Sequence, residues 1–167
     1  MMVSDKVLRF FLYIMATIKQ LALENTLLEL SKSGIILCRN GLVTSKYLFT
    51  SAIDCSSENM HLAMTLIPFI LGPHAKESIC SYGGKHVIER AFPRSHLSNG
   101  EFILICCTLG YKMITQVDEL NVSFKAKWTK LAGMYQNCET LRDEQCSMKN
   151  GIKLYKFSSP PENIDHP

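Results

Sequence analysis

The marks of a reaction centre are missing from this sequence. It has no G-x-S-x-G turn to raise a nucleophilic serine, and Gly83-Gly84-Lys85 lacks both the earlier glycine and the following Ser or Thr of a phosphate-binding loop. No C-x-x-C occurs, and His61, His74, His86 and His96 never fall at the i, i+4 spacing that sets two ligands on one helix face. A structural zinc site is therefore not expected, nor any cofactor, metal or catalytic residue. Paired carboxylates occur only at Asp118-Glu119 and Asp143-Glu144, both in turn-like polar settings. There is no internal repeat and no low-complexity run. Long apolar stretches are also lacking: the run from Val7 to Ile18 is broken by Arg9 and closed by Lys19, short of the ~20 residues a membrane span needs. Lys6 and Arg9 precede an apolar core as in a signal peptide, but Lys19 and Gln20 stand where small residues should mark cleavage. Met15 is an alternative start, which would make residues 1–14 an extension.

Charge of one sign does not dominate either. The 167 residues carry a formal net charge of +3, too small to imply nucleic-acid binding unless the charges cluster. At 47% hydrophobic, the chain has material for one folded domain with a core. Cysteine is plentiful, at positions 38, 55, 80, 106, 107, 138 and 146. An odd number without metal spacing reads as free thiols in a reducing compartment. In a secreted chain, Cys138 with Cys146 would be the most plausible local disulfide, and Asn121-Val122-Ser123 would become a glycosylation acceptor.

The strongest positive signal is the stretch from Leu120 to Trp128. Leu120, Val122, Phe124, Ala126 and Trp128 alternate with Asn121, Ser123, Lys125, Lys127 and Thr129, the period of a half-buried strand with an oily side and a lysine side. Upstream, residues 1–33 form a helical arm, with Ile14, Ile18, Leu21 and Leu28 as its apolar stripe and Gly34 as its stop. Residues 34–157 form the core and 158–167 an extended tail. Ile35–Cys38 and Leu42–Ile53 are expected to pair across an Arg39-Asn40-Gly41 turn. A helix capped by Ser57 should run to Pro68 or Leu71, with Met60, Met64, Ile67 and Leu71 on one face. Ile79–Tyr82 and His86–Phe92 read as strands about a Gly83-Gly84 turn, and the continuous apolar run Phe102–Leu109 as a central strand. Tyr111–Val117 and Ile152–Phe157 add further strands, with a short helix or loop over 134–147. The fold class is α+β: a helical N-terminus packed on a mainly antiparallel sheet with one further internal helix.

Candidate contacts are basic. Lys125, Lys127 and Lys130 surround the wet face of the late strand, and Lys112 is expected nearby; Lys85, Arg90 and Arg94, with His86 and His96, form a second set. Each basic residue near an anionic membrane contributes on the order of 1 kcal/mol, so several together would localise a protein. The same groups would serve against a nucleic-acid backbone, although no motif supports that.

The order of elements resembles the matrix proteins of rhabdoviruses, particularly the short ones of plant viruses. The resemblance lies in Leu42–Ile53, the helix from Ser57 to Leu71, a strand ending Glu89-Arg90-Ala91-Phe92-Pro93, and Leu120–Trp128. It implies a non-enzymatic structural protein that forms homo-oligomers, binds the viral nucleocapsid and condenses it against an anionic inner membrane leaflet. On that basis Lys125, Lys127 and Lys130 would be the contacts and the N-terminal arm the self-association element. A lysine-rich N-terminal tail and a Pro-Pro-x-Tyr motif are missing, since Pro160-Pro161-Glu162-Asn163 lacks the tyrosine; recruitment of budding machinery is not implied. The alternatives are a small cysteine-dependent enzyme and a secreted disulfide-containing binding module.

Overall fold

A computed structural model describes residues 5–74, 76–92, 96–116 and 118–132, together with the strand backbone of 146–149 and 152–155. The fold is α+β. Helix α1 (Asp5–Lys32) leads into a hairpin of β1 (Leu37–Cys38) and β2 (Gly41–Leu42), followed by α2 (Glu58–Ile70), β3 (Leu71–Pro73) and β4 (Ile79–Cys80). Then come α3 (Ser81–Ala91), α4 (Asn99–Thr108), β5 (Met113–Ile114), β6 (Ser123–Phe124) and β7 (Ala126–Trp128). Strands β8 (Cys146–Lys149) and β9 (Ile152–Tyr155) form an antiparallel hairpin with Lys149 opposite Ile152. Every strand pair is antiparallel, as expected, but the strands form small separate patches: β1-β2, β3-β7 and β4-β6-β5, besides β8-β9.

The centre of the molecule is α4, and here the strand expected over Phe102–Leu109 is overturned. Residues Phe102 to Cys106 are fully buried, so the helix shows apolar side chains on every side and no helical stripe. A helix surrounded by protein needs no polar face. Its start is marked by a reciprocal cap: the Ser98 hydroxyl accepts from the Glu101 amide (3.3 Å) and the Glu101 carboxylate accepts from the Ser98 amide (2.7 Å). Gly100 lets this first turn pass against β1, since a Cβ there would lie 1.8 Å from the Cys38 carbonyl oxygen.

The strand expected over His86–Phe92 is likewise a helix, α3, and Gly83-Gly84 lies inside it instead of turning a hairpin. Gly84 serves packing there: a Cβ would meet the Phe102 ring at 2.5 Å. Thus, among the described residues, three internal helices (α2, α3 and α4) stand where one was expected. The long return strand Leu42–Ile53 contracts to Gly41–Leu42, and residues 43–53 run without regular structure, leaving Leu48 77% exposed.

Other expectations hold. Helix α2 spans Glu58–Ile70, with Met60 and Ile67 fully buried, Leu71 buried just beyond it and Met64 packed at the core's edge. Pro68 falls inside its last turn, but the cap expected of Ser57 is not made, since Ser57 precedes the helix with no side-chain hydrogen bond to it. Along the late strand, Val122, Phe124 and Ala126 are buried while Lys127 is exposed. That strand is split at Lys125, however, because β6 pairs with β4 and β5 whereas β7 pairs with β3. Phe124 meets Phe102 edge to face at 6.3 Å between ring centroids, joining the strand to α4.

Helix α1 is one unbroken helix ending before Gly34, whose φ is +78°. It lies against α2 and α4 through Leu23, which is fully buried, with Leu27 and Leu30 beside it. Lys19 donates to the carbonyl of His61 (2.9 Å) and the hydroxyl of Thr65 on α2. The expected stripe points the other way: Ile18, Leu21 and Leu28 are 55%, 52% and 53% exposed.

Candidate functional site

Breaking the late strand at Lys125 creates the first candidate site. The Lys125 amide donates to the Lys112 carbonyl (2.9 Å), and the His74 amide donates to the Lys125 carbonyl (3.3 Å). Three loops are thereby tied together around an open pocket of about 460 Å³ lined by Pro73, His74, Gly110, Tyr111, Lys112 and Lys125. Lys112 and Lys125 share this rim. His74 presents its Nε2 side to Glu77 at 3.8 Å, because its Nδ1 accepts from the amides of Glu77 (2.9 Å) and Lys76 (3.3 Å). The Tyr111 hydroxyl donates to the Leu71 carbonyl, and burial pushes its pKa above the usual tyrosine value. It holds the pocket floor and offers no acid or base near neutrality.

Lys127 lies in β7 opposite Gly72 and is exposed, two residues after the half-buried Lys125. Lys130 is exposed too, but it begins a helical turn past the end of the strand. The four lysines therefore comprise a close pair, a neighbour along the strand and one residue beyond it.

The second basic set does not form an open surface. Lys85 is 9% exposed, and its ammonium lies 3.5 Å from Glu89, 3.4 Å from the Leu97 carbonyl and 5.4 Å from the centroid of the Tyr82 ring. The residue that sequence reasoning missed is Glu89. Its carboxylate gathers His86 Nδ1 (2.8 Å), His96 Nδ1 (3.0 Å), the Leu97 amide (3.2 Å) and Lys85. This ties the segment before α4 to α3, and the local signal was its place four residues after Lys85 on a helix. Arg90 is exposed on α3, and Arg94 lies outside the described residues.

Beside this cluster is a second pocket of about 500 Å³, whose wall includes Arg39, Tyr82, Lys85, His96, Asn99 and Asn121. Arg39 stands 3.8 Å from Glu101, balancing the cap carboxylate. Asn99 donates to the Asn40 carbonyl and to Asn121 Oδ1, both at 3.0 Å, which pins α4 to the hairpin and to the start of the late strand.

Cys38, Cys55, Cys106 and Cys107 are free thiols; Cys38, Cys55, Cys80 and Cys106 are buried and Cys107 is half-buried. Burial pushes the Cys106 thiol well up and Cys107 to about 11; at Cys55 burial acts first, helped by Glu24 and Asp54. Cys38 differs. Burial raises it, but donors from Thr50, Asn40 and Gly41 outweigh that and leave it below the usual thiol value. The Cys138–Cys146 pairing falls outside the described side chains. Among the described residues no group of His, Cys, Asp or Glu is arranged to hold a metal, and no helix is long and apolar enough to cross a membrane.

No family model, curated protein or solved structure matches this chain.

Proposed function

We propose that this chain is a non-enzymatic interaction protein of the viral matrix type, one that self-associates and bridges a nucleocapsid to an anionic membrane leaflet. The carrying observation is the outer side of α1. Val7, Phe10, Phe11, Met15 and Ile18 are 44% to 62% exposed along this one helix, whereas the apolar residues of α4 from Phe102 to Cys106 are fully buried. Apolar surface of that extent is an adhesive feature. The lysine pair at 112 and 125, with Lys127 beside it, supplies the anion-facing part, and Lys130 contributes from the following turn. In this reading the protein works in the virion and the host cytoplasm, peripheral to the inner leaflet.

Co-sedimentation with neutral and anionic vesicles at two salt concentrations tests the reading. Binding to anionic vesicles alone, weakened by salt, is the expected result. Lys125→Glu with Lys127→Glu should abolish it while leaving the circular dichroism unchanged. Persistent binding by that double variant would remove the lysines from the proposal.

One observation favours a second reading, a cysteine-dependent enzyme. Thr50 Oγ1 donates to Cys38 Sγ at 3.5 Å, and such donors hold the thiol below its ordinary pKa. Site-resolved alkylation near neutral pH would then mark Cys38 ahead of Cys55. Equal or slower labelling of Cys38 rules this reading out.

A further inference from the structure

The geometry points to a parallel two-stranded coiled coil between the α1 helices of two copies of this chain. The inference rests on the self-association part of the proposed function and supplies its register. Val7, Phe11, Ile14, Ile18, Leu21, Asn25 and Leu28 recur at alternating spacings of four and three, the 3.5-residue period of a coiled-coil seam. Phe11, Ile18 and Asn25 take the a positions, and Val7, Ile14, Leu21 and Leu28 the d positions. All but Ile14 are exposed, and Ile14 is half-buried.

This seam is free of the molecule's own core. Residues two apart on a helix lie about 200° from each other, so Leu21 and Asn25 fall nearly opposite Leu23, which faces the body. A two-fold pairing along the seam therefore leaves both bodies on the outside. Residues 5–13 continue α1 beyond the part docked on the body and are exposed throughout, so a single copy covers none of their apolar side chains. A second helix alongside would cover them.

The area suffices. A half-exposed Leu, Ile or Phe presents roughly 100 Å², so the apolar seam residues with Leu8, Phe10 and Met15 beside them offer on the order of 800 Å² per copy, the share of each partner in a standard interface.

Asn25 selects the orientation. In a parallel pair the two Asn25 amides meet and hydrogen-bond, the arrangement by which an a-position Asn enforces two strands in one register. In an antiparallel pair a residues face d residues of the partner, so Asn25 would oppose Val7 or Ile14 and bury an unmatched amide. Ile18, Leu21 and Leu28 around it follow the two-stranded preference for a β-branched residue at a and Leu at d. One contact opposes the pairing. Glu24 at a g position approaches Glu29 at the e position of the other copy, although Gln20 donates to Glu24 (2.9 Å) and Lys32 pairs with Glu29 (2.7 Å) within each helix.

Light-scattering mass on the full chain, across a micromolar concentration series, tests the inference. The expected mass is twice that of the 18.9 kDa chain, falling to one chain for Ile18→Asp with Leu21→Asp. Both positions face solvent in the single chain, so its circular dichroism should keep the body's signal. Glu24→Lys should tighten the pair on the order of tenfold by replacing two like-charge contacts with two attractive ones. Asn25→Cys should give an oxidised, disulfide-linked dimer well above the level of the parent chain. A parent chain that stays monomeric, a double-Asp variant that stays dimeric, or an Asn25→Cys chain that cross-links no more than its parent would overturn the inference. So would a monomer that binds neutral vesicles and loses that binding on double-Asp substitution, since lipid would then cover the stripe. A monomer that still binds anionic vesicles through Lys125 leaves the adhesion reading standing. A dimer indifferent to vesicles keeps the coiled coil and removes the lysine contact.

Discussion

Helix α4 holds Phe102, Ile103, Leu104 and Ile105 at zero exposure, whereas α1 leaves Phe10, Phe11 and Leu12 at 62%, 59% and 62%. The two segments draw on the same side chains, and composition does not separate them. What separates them is how many sides the body covers. Helices α1, α2 and α3 and the β1-β2 hairpin close around α4, with Phe124 of β6 against Phe102. Helix α1 meets the body along one stripe, through Leu23, Leu27 and Leu30. Burial in one helix maintains the fold of a single copy; in the other, a single copy leaves the apolar surface uncovered.

The sharpest way to break this contrast is to truncate one aromatic in each helix. Phe102→Ala should cost about 3–5 kcal/mol in urea unfolding, because the ring fills the space between Gly84 and Phe124 and its loss leaves a cavity. Tyr13→Ala should stay within about 0.5 kcal/mol, since Tyr13 is 72% exposed and stands off the seam. Similar costs at the two positions would mean that the N-terminal half of α1 is covered within one copy.

A somewhat smaller effect is expected where α3 meets the segment leading into α4. Glu89→Ala removes the only carboxylate paired with Lys85 among the described residues and leaves that ammonium desolvated, at a cost of about 3 kcal/mol. The neighbouring Arg90→Ala should change unfolding by no more than a few tenths of a kcal/mol, since its side chain is exposed. Near-equal midpoints for the two variants would show that the Glu89 cluster adds nothing beyond surface charge.

How far the fold could be read from the residues follows from the kind of signal each element carries. Alternation along Val122, Phe124 and Ala126 and the spacing of Met60, Ile67 and Leu71 identified their buried faces, because a half-covered element must write its coverage into its period. Full coverage erases that trace. The run Phe102–Leu109 could therefore be strand or helix, and the deciding clue was the Ser98-x-x-Glu101 cap one step before it. A stripe also does not say which way it points: Ile18, Leu21 and Leu28 were legible as a face, yet they turn away from the core. The candidate site was legible only in part. Lys125 and Lys127 follow from strand parity, whereas the joining of Lys112 and His74 to Lys125 rests on hydrogen bonds between distant loops, which no local pattern encodes.

The smallest effect tests why α4 is a helix at all. Its apolar run has no helical period of its own, so the cap at Ser98 carries local information that the interior of the run does not. Ser98→Ala removes the acceptor for the Glu101 amide and should cost about 1 kcal/mol, whereas Ser98→Gly should cost only a few tenths, since glycine ranks close to serine at a cap and alanine far below it. Glu101→Gln keeps an oxygen within reach of the Ser98 amide but gives up the charge facing Arg39 at 3.8 Å, and its cost should fall between those two. The same order should appear in the midpoint of thermal unfolding followed by circular dichroism. An alanine variant indistinguishable from the glycine variant would mean that packing on all sides sets the helix without help from its cap, and the contrast with α1 would then rest on coverage alone.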